Sequence, residues 1–157
     1  KDAVVASLLI CEMAAYYKSQ GKTLIDVMNG LYDEFGYYCN TVQSYTFEGA
    51  AGMKKMAAIM DGLRDNKPSS FAGYEVTKID DYKTSKSTIV KTGEESEITL
   101  PKSNVLAYTL TNGNKVIVRP SGTEPKIKAY ITAIGQSEEN AKEIAQRLLD
   151  DANELMK

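Results

Sequence analysis

Lys115-Val116-Ile117-Val118-Arg119-Pro120-Ser121-Gly122-Thr123-Glu124-Pro125-Lys126-Ile127-Lys128-Ala129-Tyr130-Ile131-Thr132-Ala133-Ile134 reads as a strand, a break and a second strand. The runs Lys115–Val118 and Ile127–Ile134 are strand-like. Between them, Arg119 through Lys126 has the make-up of a loop that holds a phosphate group. Arg119 offers a planar fork of donors that matches phosphate oxygens. Ser121 and Thr123 add hydroxyl donors. Gly122 lacks Cβ, so the backbone there is free to adopt a left-handed conformation and bring N–H groups close to an anion. Pro120 and Pro125 stiffen the two ends. The plain alternative is an ordinary Pro/Gly turn between strands.

The charge around the loop favours an anion. From Lys115 to Lys128 the cations are Lys115, Arg119, Lys126 and Lys128, and the one acid is Glu124, in a chain of formal net charge -2. Alternation puts Lys115, Ile117 and Arg119 on one side of the first strand, and Lys126, Lys128 and Tyr130 on one side of the second. If the strands are neighbours, their cations converge on the loop. The strand lysines also suit a solvated sheet face, so they weigh less than Arg119.

Working outward, Val105–Thr111 and Lys115–Val118 flank Asn112-Gly113, a strong hairpin signal. Phe71–Tyr82 and Tyr37–Phe47 are further strands. Thr84–Pro101 is polar and reads as a loop with at most one short strand. Gly49–Leu63 reads as a helix with Met53, Met56, Ala57, Met60 and Leu63 on one face, a core-type stripe. A last helix starts at the N-cap Ser137, with Glu138 and Glu139 in its first turn. Its expected buried face is Ala141, Ile144, Ala145, Leu148, Leu149, Ala152 and Leu155. The sum is an α+β fold, a mainly antiparallel sheet with helices packed on one face.

Two helices precede it. Ala3–Tyr17 is apolar almost all round, with Glu12 its one charge, and is expected to be buried on most sides. Cys11 within it reads as core. Thr23–Phe35 has a capping Thr23 with Asp26 three residues on, and Gly21 and Gly36 are C-terminal stops. One amphipathic helix cannot cover an all-round apolar partner, so the pair packs on the rest of the chain or its main partner is missing.

At 157 residues there is room for one good core and an appendage. Hydrophobic content of 43% and charged content of 25% are ordinary for a globular protein. No apolar run is long enough to span a bilayer and no signal peptide is visible. The absence of histidine removes His-based acid–base chemistry and His-containing metal sites. Cys11 and Cys39 do not suggest a disulfide framework. The slight acidity argues against a broad nucleic-acid surface.

Arg119-Pro120-Ser121-Gly122-Thr123-Glu124-Pro125-Lys126, followed by an alternating strand, resembles the phosphate-binding loop of the α-D-phosphohexomutases, the phosphoglucomutases and phosphomannomutases. That loop lies in their fourth, C-terminal domain. Ala6 through Tyr17 resembles a helix near the end of the third domain. Phe47-Glu48-Gly49, Gly52-Met53 and Ile59-Met60-Asp61 resemble the start of the fourth. The resemblance covers most of the chain. It implies residues 1–36 as the closing helices of domain three and residues 37–157 as domain four, a β-α-β4-α unit like the TATA-box-binding protein. Gly93-Glu94-Glu95-Ser96 has the letters of the family's sugar-recognition loop but follows the domain-three helices, and reads as a charged surface turn.

In the family a phosphoserine in domain one donates its phosphoryl group to a sugar phosphate, and a Mg²⁺ ion on a domain-two aspartate loop assists. The domain-four loop clamps the phosphate that is not reacting. The resemblance therefore implies Arg119, Ser121, Gly122 and Thr123 as the clamp, with Lys128 as an extra cation. Ser121 is then a donor and not a nucleophile, and Glu124 orients the loop or Arg119. No catalytic or metal-binding residue is assigned to this chain. The full-length enzyme is expected to be cytoplasmic and to use Mg²⁺ and a hexose bisphosphate activator, neither bound by this chain. Partners are expected to be the phosphosugar and the N-terminal domains of the same polypeptide, with no nucleic acid and no membrane. The chain reads as a C-terminal fragment, inactive alone, of a phosphoglucomutase more than a phosphomannomutase. A non-catalytic phospholigand-binding module on the same fold is the alternative. A nucleic-acid module ranks last, because the cations are confined to one loop region.

Overall fold

The computed structural model describes residues 2–156. The chain divides between Tyr37 and Tyr38 into two compact units.

The first unit is a helix pair. α1 (Ala3–Ser19) is capped by Asp2, whose carboxylate accepts the Val5 N–H at 2.9 Å. α2 (Leu24–Phe35) opens with a reciprocal capping box: Thr23 Oγ1 accepts the Asp26 N–H and Asp26 accepts the Thr23 N–H. Gly21 has φ +72° just after α1, and Gly36 donates its N–H to the Tyr32 carbonyl at the end of α2. No residue of either helix is buried. Leu8 is 68% exposed and Cys11 is exposed, so the expectation of a buried α1 with a core cysteine does not hold within this chain. Two helices touch along one line, and a helix apolar all round keeps its other sides bare.

The second unit is an eight-stranded sheet with two helices. In chain order it runs β1 (Tyr37–Thr46), which begins at the division, α3 (Ala50–Asp65), β2 (Ser70–Phe71), β3 (Tyr74–Asp81), β4 (Lys86–Ile89), β5 (Glu95–Glu97), β6 (Leu106–Leu110), β7 (Lys115–Pro120), β8 (Lys126–Gly135) and α4 (Glu138–Leu155). The spatial order is β1-β8-β7-β6-β3-β4-β5, with β2 beside β3. The β3–β4, β3–β6, β4–β5, β6–β7 and β7–β8 pairs are all antiparallel. The fold is α+β with an antiparallel sheet, as the sequence leads one to expect. Where four strands were expected between the helices there are seven. β3, β6, β7 and β8 are the four long ones. β2 forms because Ala72-Gly73 turns the chain within the stretch read as one strand, both with positive φ. β4 and β5 lie in the stretch read as loop. They pair through their backbones and through Lys86 Nζ and Glu95, 2.7 Å apart, a cross-strand link that polar composition hides. Gly93 and Glu94 lie in their turn, so Gly93-Glu94-Glu95-Ser96 stands at a hairpin end.

One face of the sheet carries the core. Leu106, Tyr108 and Leu110 of β6, Val116 and Val118 of β7, and Ile127, Ala129, Ile131 and Ala133 of β8 are buried against α3 and α4. From α4 come Ile144, Ala145, Leu148 and Ala152, with Leu149 and Leu155 partly buried, matching the face read from the sequence. From α3 come Met56, Met60 and Leu63. Met53 and Ala57 of the same stripe are exposed, which corrects their core assignment.

The β6–β7 hairpin turns as expected at Asn112 and Gly113, with φ +69° and +77°. Asn114 behind it is fully buried and its Oδ1 accepts the Ile134 N–H of β8 at 2.8 Å. Among the described residues no helix is long and apolar enough to cross a membrane.

Candidate phosphate-binding site

The site lies at the β7–β8 junction, on the sheet face without helices. Register pairs Lys115 with Thr132, Ile117 with Tyr130, and Arg119 with Lys128. The alternating partners Val116 and Ile131, and Val118 and Ala129, point into the core. The burial of one parity thus forces the cationic parity outward. Arg119 and Lys128 are exposed, and among the described residues neither makes an ion pair. A cavity of about 360 Å³ is lined by Arg119, Pro120, Ser121, Gly122, Thr123, Lys128 and Tyr130. All five residues singled out in the sequence meet there.

The loop is fixed from within and from outside. The Ser121 N–H donates to the Lys126 carbonyl at 2.7 Å, and the Lys126 N–H donates to the Glu124 carbonyl at 2.8 Å. Ser121 Oγ accepts the N–H groups of Thr123 and Glu124 at 3.4 and 3.3 Å. That leaves the Ser121 hydroxyl proton as a donor. The Pro125 carbonyl accepts the Phe47 N–H at 2.9 Å, which ties the loop to the start of α3. Phe47 in turn is set against Gly52. A Cβ on Gly52 would come within 2.2 Å of the Phe47 carbonyl oxygen. These links tie the loop to itself and to the residues that lead into α3.

Two expectations change. Gly122 is not among the glycines with positive φ, and a Cβ there would meet nothing within 4 Å. The hydrogen bonds across the loop close it without a left-handed residue, so the glycine leaves open space at the cavity wall. Glu124 pairs with Lys126 Nζ at 3.0 Å and not with Arg119. Lys126 is therefore engaged within the loop, while among the described residues Arg119 and Lys128 have no ion-pair partner.

A second cavity of about 400 Å³ shares Arg119, Pro120, Ser121 and Gly122 and is otherwise lined by Met53, Met56, Ala57, Ser103, Asn104 and Val105. Arg64 donates to Asn104 Oδ1 at 2.6 Å and to Asp81 Oδ2 at 3.2 Å, which holds that wall. Sequence reasoning missed Ser103 and Asn104, since nothing local ties a polar segment to a loop many residues away. Tyr130 was visible by its shared parity with Lys128.

The family model described as the phosphoglucomutase/phosphomannomutase C-terminal domain matches residues 52–151. The chain belongs to this family. Among its phosphoglucomutase relatives, one from Staphylococcus aureus is 42% identical over 132 residues, which is 84% of this chain and 24% of that protein. One from Staphylococcus saprophyticus is 35% identical over 147 residues, 94% of this chain and 26% of that protein. The chain thus spans about a quarter of the length of the curated relatives it matches. The open form of the exocytosis-sensitive phosphoprotein pp63/parafusin, a phosphoglucomutase from Paramecium, aligns over 99% of this chain and 27% of its own, with TM-score 0.65 and 15% identity. That likeness is one of fold. The Mg²⁺ that the family implies does not fit here. Among the described residues no group of three or more His, Cys, Asp or Glu is placed to hold a metal.

Proposed function

We propose that this chain is the C-terminal part of a phosphohexomutase and that its β7–β8 loop clamps the non-transferring phosphate of a sugar phosphate. The observation that carries this reading is the Arg119–Lys128 pair: two exposed cations opposite each other, without carboxylate partners among the described residues, at the mouth of a cavity edged by Ser121, Gly122 and Thr123. A phosphate dianion placed there gains a bidentate guanidinium contact, a second cation and two hydroxyl donors. Such a clamp contributes positioning, the main lever in phosphoryl transfer.

In this reading residues 1–36 close the preceding, third domain and residues 37–157 are domain four. The full-length protein interconverts hexose 1- and 6-phosphates in the cytoplasm. Its phosphoserine, Mg²⁺ site and hexose bisphosphate activator site belong to the rest of the polypeptide, so the chain alone has no turnover. Glucose is favoured over mannose because the relatives reported above are phosphoglucomutases. A phospholigand-binding module without catalysis would share the clamp and lack the turnover.

The test is Arg119→Ala in the full-length polypeptide. Loss of a charge-assisted contact costs on the order of 1.5–3 kcal/mol, so kcat/KM should fall at least about tenfold. The melting temperature should hardly move, since Arg119 is exposed. Near-native kcat/KM with an intact fold overturns the clamp.

A further inference from the structure

We infer that Tyr130 is the surface on which the sugar ring of the bound phosphate ester lies. This rests on the clamp reading and adds to it a site for the part of the ligand that is not phosphate.

A phosphate needs cations and donors, and Arg119, Lys128, Ser121 and Thr123 supply them. It has no use for an aromatic wall. Yet Tyr130 lines the same cavity, and it is 37% exposed. It sits two residues from Lys128 on the same face, roughly 7 Å along the strand. The Lys128 side chain is long and can reach toward its neighbour, so a phosphate held at Lys128 leaves the attached hexose ring within reach of Tyr130. Tyr130 stands opposite Ile117, which is half-buried, so ring and aliphatic side chain make one apolar step beside the two cations. A pyranose presents C–H groups on its faces and hydroxyls around its edge. The flat Tyr130 ring suits the first. Its hydroxyl suits the second, because among the described residues it makes no hydrogen bond. An exposed tyrosine on a sheet face also has the plain explanation of strand propensity. Under that explanation the side chain makes no distinction between ligands that share a phosphate.

The experiment separates the two. The 157-residue chain is titrated with glucose 6-phosphate and with inorganic phosphate, following backbone amide shifts by NMR, as wild type, Tyr130→Ala, Tyr130→Phe and Arg119→Ala. Wild type should bind glucose 6-phosphate more tightly than inorganic phosphate. Tyr130→Ala should weaken glucose 6-phosphate roughly three- to tenfold and leave inorganic phosphate within about twofold, while Tyr130→Phe keeps most of the preference. Arg119→Ala should lose both ligands. Equal weakening of both ligands by Tyr130→Ala, unchanged glucose 6-phosphate affinity, or Tyr130→Phe behaving like Tyr130→Ala overturns the platform and leaves the clamp standing. Wild type that binds neither ligand, or Arg119→Ala that binds both normally, overturns the clamp and the platform with it.

Discussion

Arg119 and Lys128 stand directly opposite each other across the β7–β8 ladder. Like charges at such a position repel and cost stability, on the order of 0.2–1 kcal/mol. A sheet selected for stability alone would place an opposite charge or a threonine at one of them. The arrangement is explained if an anion sits between the two.

Lys128→Thr should therefore leave the melting temperature of this chain unchanged or slightly higher in phosphate-free buffer. Added inorganic phosphate should raise the melting temperature of wild type more than that of the variant, since a ligand stabilises by its affinity for the native state. Thermal melts with and without phosphate check both points. A variant clearly less stable than wild type without phosphate contradicts the repulsion.

Two glycines should respond in opposite ways. Gly52→Ala drives a Cβ to within 2.2 Å of the Phe47 carbonyl oxygen, and the backbone of α3 or of Phe47 must shift. The expected cost is about 1–3 kcal/mol in urea unfolding. Because Phe47 N–H holds the Pro125 carbonyl, phosphate binding should weaken as well. Gly122→Ala meets nothing and should change stability by less than about 0.5 kcal/mol, while its methyl group narrows the cavity and lowers phosphate affinity. Gly122→Ala with full affinity would show that the open wall has no role.

Asp81 sets a pH dependence. Burial pushes its carboxyl up, but hydrogen bonds from Arg64, the Lys83 N–H and Thr84, with the Arg64 charge, outweigh this and hold it below its ordinary value of 3.8. A carboxyl lowered in the folded state contributes stability that is complete above the ordinary value and is lost as pH falls through the folded one. Asp81→Asn should cost on the order of 1–3 kcal/mol at neutral pH, because the mostly buried Arg64 loses the nearer of its two carboxylates. The gap between variant and wild type should close as pH drops below about 4. Urea midpoints at a series of pH values check it, and a gap independent of pH rejects it.

Asn114 should be costly to remove. It is fully buried, and its Oδ1 satisfies the Ile134 N–H while its backbone carbonyl accepts the Leu110 N–H at 2.8 Å. Asn114→Ala leaves the part-buried Ile134 N–H without its partner, at about 1–3 kcal/mol. Hydrogen exchange at Ile134 should speed up relative to the rest of β8.

The sequence by itself determined the features that arise within a few residues of one another. These are the strand parity that separates Val116 and Val118 from Arg119, the Asn112-Gly113 turn, the Ser137 cap and the apolar stripe of α4. Each rests on local geometry or a short periodicity, which one chain segment displays alone. It also named five of the seven residues that line the cavity, because their chemistry sits in one loop and one adjoining strand. Tertiary structure decided the rest. Register set Arg119 against Lys128, and no single strand contains that information. The approach of Gly52 to Phe47 and the bond from Phe47 to Pro125 fixed the loop from a distance. Hydrogen bonds across the loop, and not a left-handed Gly122, closed it. The bare faces of α1 and the exposed Met53 depend on what packs against them, and an apolar residue does not state its partner. Local interactions are written in neighbouring side chains. Long-range ones exist once two distant backbones meet, and the fold alone chooses where that happens.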